Sequence, residues 1–298
     1  MSASSSLPVS TSGLSALDVA RRCAEEGGRL ALERFRRPQD VSVKGRGNLV
    51  TATDVDVERL IQDILTREYP EHAVLSEETA HLEARGSKLE PRTSKLEERG
   101  WMWVVDPIDG TRNYVSGIPF WCVNVALCRE GEPVVAVTHS AVHGETFWAQ
   151  AGAGTHLSSG PDPTQDRPCH ASDQPSLQES VLGFDLGYDD ERAAQMLAVL
   201  RELWPGMQAV RIMGSAALGL AYAACGRYDI FVHHYLFPWD LAAGILLVRE
   251  AGGVITEHDG SPVRVDSEGV VAGGAAAQAD FLRRAGSKRW RDEGAAGR

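Results

Sequence analysis

The chain has 298 residues, with apolar residues at 43%, charged residues at 24% and a formal net charge of −11. At about 150 residues per domain this is one large or two ordinary domains with full cores, and the composition excludes wholesale disorder. The acid excess argues against nucleic acid or an anionic membrane surface as the main partner, although bound metal ions would still admit an anionic substrate.

In chain order, residues 1–13 are rich in Ser and Thr and lack both a basic and an apolar segment. They are expected to be a mobile tail, not a signal peptide. A helix is expected over residues 14–35, where Leu17, Ala20, Ala24, Ala31 and Phe35 make one face. Residues 41–50 read as a hairpin or loop. A second helix follows, with Val57, Leu60, Ile61, Ile64 and Leu65 at helical spacing, Thr53 as its N-cap, and Asp54 and Asp56 in its first turn. Val74-Leu75 reads as a short strand. Residues 80–99 carry five basic and four acidic residues, and a near repeat (Ser87-Lys88-Leu89-Glu90, then Ser94-Lys95-Leu96-Glu97) marks them as a solvated insertion.

Residues 101–105 are apolar throughout, as a strand buried on both faces should be. Strands are expected at 122–128, 133–140 and Glu145–Gln150, and residues 158–176 read as a linker. Thereafter strands and helices alternate: strand 181–184, helix Asp190–Leu203, strand Ala209–Ile212, helix 215–225, strand 229–234 and helix 239–251. Short strands at Val254–Thr256 and 269–272 and a helix at 276–284 complete the chain. The alternation implies layered α/β structure. The expected organisation is an N-terminal α+β half at 14–157, the linker, a C-terminal α/β half at 177–285 and a frayed end at 286–298.

The five cysteines, Cys23, Cys122, Cys128, Cys169 and Cys225, are scattered and form no CxxC pair. That is the pattern of a reducing compartment, so no disulfide and a cytoplasmic location are expected. No apolar run approaches the roughly 18 residues of a membrane span.

The segment that carries chemistry is Asp106-Pro107-Ile108-Asp109-Gly110-Thr111-Arg112-Asn113, placed at the end of the buried strand. Sites in α/β proteins gather at such strand ends. Two carboxylates around a tight turn, joined by the Ile108 carbonyl, make an all-oxygen anionic set suited to a hard cation such as Mg²⁺. Gly110 and Thr111 then open a turn whose N–H groups suit a phosphate. No GxxxxGK[ST] loop and no GxSxG elbow is present, which weakens kinase and serine-hydrolase readings.

The same octapeptide resembles the DPxDGTxN signature of the inositol monophosphatase family, in the lithium-sensitive, Mg²⁺-dependent phosphatase superfamily. Leu49-Val50-Thr51-Ala52-Thr53-Asp54, Glu77-Glu78-Thr79 and Trp239-Asp240-Leu241-Ala242-Ala243-Gly244 resemble three further family segments, in the family's order. The resemblance implies a five-layer α/β/α/β/α sandwich, two or three Mg²⁺ ions, a homodimer and a small phosphate monoester as substrate. It implies that Glu77, Asp106 and the Ile108 carbonyl hold a first metal, and Asp106, Asp109 and Asp240 a second. Glu78 would support them, Asp54 and Thr111 would polarise the attacking water, and Gly110 and Thr111 would receive phosphate oxygens.

Gly214-Ser215-Ala216-Ala217 resembles the family segment that contacts the alcohol. In the animal inositol-phosphate enzymes an acidic residue stands seven positions before the WD aspartate, and here that position is His233. His233 is a candidate substrate contact, and the alternative for His233 and His234 is ordinary strand residues, one inward and one outward. Inositol monophosphate leads as substrate. Fructose 1,6-bisphosphate, histidinol phosphate, 3′-phosphoadenosine 5′-phosphate and NADP are alternatives within the family, and a regulatory binding protein is the alternative outside it.

Overall fold

The computed structural model describes residues 7–43, 49–84, 100–160 and 165–286. The N-terminal half contains α1 (Ala16–Arg34), the hairpin β1 (Val41–Val43) and β2 (Leu49–Thr51), and α2 (Ala52–Glu68). It continues with β3 (Ala73–Ser76), α3 (Glu77–Ala84), β4 (Trp101–Asp109), α4 (Thr111–Ser116), β5 (Cys122–Arg129), β6 (Glu132–Ser140), β7 (Glu145–Gln150), β8 (Thr155–Ser159) and β9 (Arg167–Cys169). The C-terminal half contains β10 (Val181–Asp185), α5 (Asp190–Leu203), β11 (Ala209–Ile212), α6 (Ala216–Ala224), β12 (Ile230–His233), α7 (Pro238–Glu250), β13 (Val254–Thr256), β14 (Val270–Gly273) and α8 (Ala275–Ala285).

Strands β3 to β9 form one seven-stranded sheet in sequential order. The second sheet has five strands in the order β11-β10-β12-β14-β13. Side-chain alternation along the strands builds the layers. On β4 and β5, Trp103, Val105, Val123, Val125 and Leu127 pack under α1 and α2. Their neighbours Met102, Val104, Cys122 and Ala126 face α6 and α7 instead. On the second sheet, Phe231, Val270 and Ala272 meet that same helix pair. Leu182, Phe184, Ile230 and Val232 face outward, beneath α5 and α8. The result is α/β/α/β/α, the expected five layers.

Helix α6 is made largely of small residues, and α7 carries Ala242-Ala243-Gly244, which lets the pair fit between two sheets. A Cβ placed on Gly244 would lie 2.4 Å from Leu220 Cδ1, and one on Gly219 would lie 2.4 Å from Phe231 Cε2. Gly27 lets α1 approach Val57 and Ile61 of α2 in the same way.

Several local expectations differ from the structure. The α2 N-cap is Thr51 rather than Thr53, because Thr51 and Asp54 complete a reciprocal capping box. Residues 158–176, read as a linker, hold the end of β8 and all of β9, both paired into the seven-stranded sheet. Part of the expected tail is tied down: Ser12 Oγ donates to Glu68 Oε2 at 2.6 Å, and Thr11 N–H to the Glu68 carbonyl at 3.0 Å. Residues 80–84 continue α3, while 85–99 and 287–298 lie outside the described residues.

Cys169 and Cys225 form a disulfide, contrary to expectation. They stand 56 residues apart in sequence, but the end of β9 meets the C-terminus of α6 and their Cα atoms lie 4.7 Å apart. Among the described residues no helix is long and apolar enough to cross a membrane.

Candidate metal and phosphate centre

A strand alternates with period two, so residues three apart should point to opposite faces. Asp106 and Asp109 escape this rule. Asp106 pairs with Asn124, but Asp109 pairs with Cys122, so three steps on β4 match two on β5. The extra residue is a β-bulge, placed where Pro107 interrupts the ladder. It turns Ile108 into the α1/α2 core and brings Asp109 back to the α6/α7 side, beside Asp106. Asp240 arrives from the first turn of α7, and oxygens of Asp106, Asp109 and Asp240 all lie within 4.8 Å of one another.

Each carboxylate is also fixed by the fold. Asp240 Oδ2 accepts the Phe237 N–H at 2.8 Å, closing the start of α7. That first turn is docked on the sheet by Asn124, whose Nδ2 donates to the Trp239 carbonyl at 2.7 Å. Asp109 Oδ2 accepts from Ser215 Oγ and, at 3.0 Å, from the Ala217 N–H. Ser215 is the N-cap residue of α6, as expected, but its side chain makes no cap hydrogen bond. The Asp109 carboxylate of the other half takes that place. Asp54 Oδ2 accepts from Thr51 N–H and Oγ1 at 2.9 and 2.5 Å. Asp54 Oδ1 lies 3.0 Å from Thr111 Oγ1, which is also 3.0 Å from the Ile108 carbonyl.

These acids are buried together, and their proton affinities record it. Burial, then Glu77, Asp109 and Asp240, hold Asp106 well above the ordinary carboxylate range. Burial raises Asp109 to about 6, against the Ser215 bond that pulls it down. It raises Asp54 to about 6, against the Thr51 bonds. Asp240 is raised by burial and by Asp109. Asp106 Oδ1 is buried without a hydrogen-bond partner among the described residues. Converging anionic oxygens, one of them orphaned, are the donor set that a divalent cation satisfies.

The acids open into a cavity of about 220 Å³. Glu77, Ile108, Gly110, Thr111, Gly214, Ser215, Ala216 and His233 line it with Asp106, Asp109 and Asp240. Gly110 has φ +92°, and a Cβ there would sit 3.1 Å from the Gly214 carbonyl, so only glycine suits the turn. Asp54 and Glu78 lie outside the lining; Asp54 reaches the site through Thr111, and the Glu78 N–H is held by Glu58 Oε2 at 2.8 Å. His233 and His234 are both buried, and of the two only His233 lines the cavity.

Four further residues shape the site. Glu58 also accepts the Thr79 N–H, so it anchors the start of α3 and with it Glu77. Asn124 docks α7. Asn113 Nδ2 donates to the Phe120 carbonyl of its own half and, across the halves, to the carbonyls of Met213 and Gly214. Asp185 Oδ1 accepts the N–H groups of Met213 and Gly214 at 3.1 and 2.6 Å. Asp185 ends a strand, a position that sequence can flag, whereas the partners of Glu58, Asn113 and Asn124 are non-local.

A family model described as the inositol monophosphatase family matches residues 15–289. The chain belongs to the inositol monophosphatase family. It is 33% identical over 270 residues to an inositol-1-monophosphatase of Mesorhizobium japonicum, covering 90% of this chain and 94% of the relative. It is 34% identical over 262 residues to the Nus factor SuhB of Pseudomonas aeruginosa, covering 86% and 90%. Among solved structures, the extragenic suppressor protein suhB from Bartonella henselae matches at TM-score 0.77 and 30% identity, covering 90% of this chain and 96% of that one. The inositol monophosphatase of Anabaena matches at TM-score 0.74 and 30% identity, covering 91% and 95%. Phosphatase chemistry of this family's general kind, with metal dependence, follows from that membership.

Proposed function

We propose that the protein is a Mg²⁺-dependent phosphomonoesterase acting on a small phosphorylated alcohol. The observation that carries this reading is the bulged end of β4, which joins Asp106 and Asp109 to Asp240 at a cavity, with one carboxylate oxygen unpartnered among the described residues.

In this reading Glu77, Asp106, Asp109, Asp240 and the Ile108 carbonyl hold the metal. Bound Mg²⁺ would supply charge neutralisation for the ester and a water of lowered pKa. Thr111 Oγ1, set between Asp54 Oδ1 and the Ile108 carbonyl, orients that water, and Asp54 accepts its proton through the hydroxyl. The N–H groups of Gly110 and Thr111 receive phosphate oxygens. Gly214, Ser215, Ala216 and His233 face the alcohol. No side chain is required as nucleophile.

Inositol 1-phosphate is the first ester to test, because inositol-1-monophosphatases stand among the relatives. The test is phosphate release with and without Mg²⁺, with Asp106→Asn alongside. Mg²⁺-dependent release that falls by orders of magnitude in the variant, with circular dichroism unchanged, supports the reading. Substantial release by the variant overturns the metal assignment. A second reading, a regulatory binding protein, is favoured by the relatives named Nus factor SuhB. It predicts a stoichiometric macromolecular partner retained by Asp106→Asn.

A further inference from the structure

Beneath the start of α7 the sheet carries a polar pair in apolar surroundings. Asp106 of β4, Asn124 of β5 and Thr138 of β6 are register partners in one row across three antiparallel strands. Residues directly opposite in such a row share a sheet face, with Cβ atoms about 5 Å apart. Here that face is the one covered by α6 and α7, since Asn124 Nδ2 donates to the Trp239 carbonyl of α7 at 2.7 Å. A carbonyl only accepts, so the amide nitrogen must face Trp239 and the amide oxygen must face β6. Thr138 Oγ1 donates to that oxygen at 2.7 Å. The hydroxyl thus fixes which way the amide points, and the amide fixes the residue immediately before Asp240.

Packing alone does not account for this pair. Asn124 and Thr138 are fully buried, and Cys122, Ala126 and Ala136 around them are apolar members of the α6/α7 core. Burying an amide and a hydroxyl costs desolvation that their hydrogen bonds do little more than offset. An apolar pair of the same shape would fill the space at nearly equal stability. The helix does not need the bond either. Trp239 is the second residue of α7, so its carbonyl already takes the regular helix bond from the N–H four residues on. What the pair supplies is placement. Asp240 comes within 4.8 Å of Asp106 and Asp109 only when the first turn of α7 has one height and one rotation over the sheet. The relay ties that turn to the residue opposite Asp106 itself.

We infer that Thr138 and Asn124 are positioning residues for the cation, forming a polar relay across three strands that sets Asp240 against Asp106. The inference rests on the metal-dependent phosphatase reading for the ion, but the relay can be tested without catalysis. Neither residue lines the cavity, so a determinant of metal affinity stands on β6, two strands from Asp106. Mg²⁺ demands near-ideal octahedral geometry, so a displaced carboxylate is felt as lost affinity. Residues that orient metal ligands from behind are worth about 10- to 100-fold in binding.

The test uses the full-length protein, with Mg²⁺ binding read by calorimetry and urea unfolding of the metal-free protein alongside. A double variant, Asn124→Leu with Thr138→Val, replaces the relay by an apolar pair of similar shape. It should bind Mg²⁺ about 10- to 100-fold more weakly, with a urea midpoint no lower than that of wild type. Its kcat should return toward the wild-type value at saturating Mg²⁺, with KM for the ester unchanged. Thr138→Ser keeps the hydroxyl and should bind Mg²⁺ as wild type does. Unchanged Mg²⁺ affinity in the double variant overturns the inference and leaves the phosphatase reading standing. A loss that Thr138→Ser shares, or a double variant that unfolds at lower urea or fails to fold, marks the pair as support for the fold and also overturns the inference. A wild type that binds no Mg²⁺ overturns the phosphatase reading and the inference with it.

Discussion

Asn113 is the residue whose removal is most open to calculation. It lies in α4, just after the turn at Asp109-Gly110, and is 8% exposed. Its Nδ2 reaches the carbonyls of Phe120 at 2.7 Å, Met213 at 2.6 Å and Gly214 at 3.2 Å. An amide nitrogen has two protons, so two of these bonds are complete and the longest is shared. In Asn113→Ala both are lost. Each net bond is worth about 1 kcal/mol, and buried carbonyls left unpaired cost about 1–3 kcal/mol beyond mere exchange with water. Partial solvation at the cavity edge reduces the second figure, giving a total of about 2–4 kcal/mol. At roughly 2 °C per kcal/mol for a chain of this size, the melting temperature should fall by about 4–8 °C. Urea unfolding of both proteins with the same metal content measures it directly. The substitution should also lower kcat, because the 213–215 turn that Asn113 holds presents Ser215 to Asp109. Loss of less than about 1 kcal/mol, with unchanged kcat, would refute the claim that this amide ties the two halves together.

Three other outcomes follow from the same geometry. Ser215→Ala removes the hydroxyl that fixes Asp109, so Mg²⁺ should bind about 10- to 100-fold more weakly, read by calorimetry, with far-ultraviolet circular dichroism unchanged. His139 is partly buried against Thr146, and burial lowers its pKa to about 4. With an unfolded value near 6.5, its stabilising effect is complete above that pH and is lost as pH falls toward about 4. Wild type should therefore lose about 2.5 kcal/mol relative to His139→Gln between pH 7.5 and 4.5, by denaturant titration at each pH. A flat difference would exclude a neutral buried imidazole. Gly244→Val forces a methine carbon to within 2.4 Å of Leu220 Cδ1, so α6 and α7 must separate. The cost should be about 1–3 kcal/mol or more, seen as a lower urea midpoint at constant slope.

Legibility in the sequence followed the range of the interactions. Helix α5 and strands β7, β11 and β13 were readable to the residue because their signals are local periodicity and turn residues. Strands β8 and β9 were not, since Ser, Pro and Asp predict a loop and only the partner strand makes them otherwise. The cap of α2 was missed by two residues because Thr51 and Thr53 are equally good by type, and only Thr51 reaches Asp54. The disulfide was hidden by 56 residues of separation. In the site, the acids were visible as motifs, but the bulge that makes Asp106 and Asp109 neighbours depends on β5. The pairing of Asp185 with His233 depends on the register of two strands whose partners are 48 residues apart in the chain.

The acids share a division of labour that explains both their visibility and how to test them. One oxygen of Asp54, Asp109, Asp185 and Asp240 is bound to backbone N–H groups that open a helix or fix a turn. The second oxygen of Asp54 meets Thr111 Oγ1 in the site. A carboxylate near a helix start is thus weak evidence for function by itself, since the fold alone accounts for it. What removes the ambiguity is Asp106, whose Oδ1 has no hydrogen-bond partner among the described residues. An acid that cost the fold this much and capped nothing would not persist for stability. The two roles separate experimentally. Asn keeps an oxygen for the backbone and removes the charge, so Asp→Asn should remove metal binding at Asp109 and Asp240 while the helix starts survive. Asp→Ala should lose both, with added instability of about 1 kcal/mol for each lost cap. At Asp106, whose Oδ1 has no partner among the described residues, the near-isosteric Asn should be at least as stable as the metal-free wild type. A metal-free Asp106→Asn that melted well below wild type would mean that this carboxylate holds the structure together and not the ion.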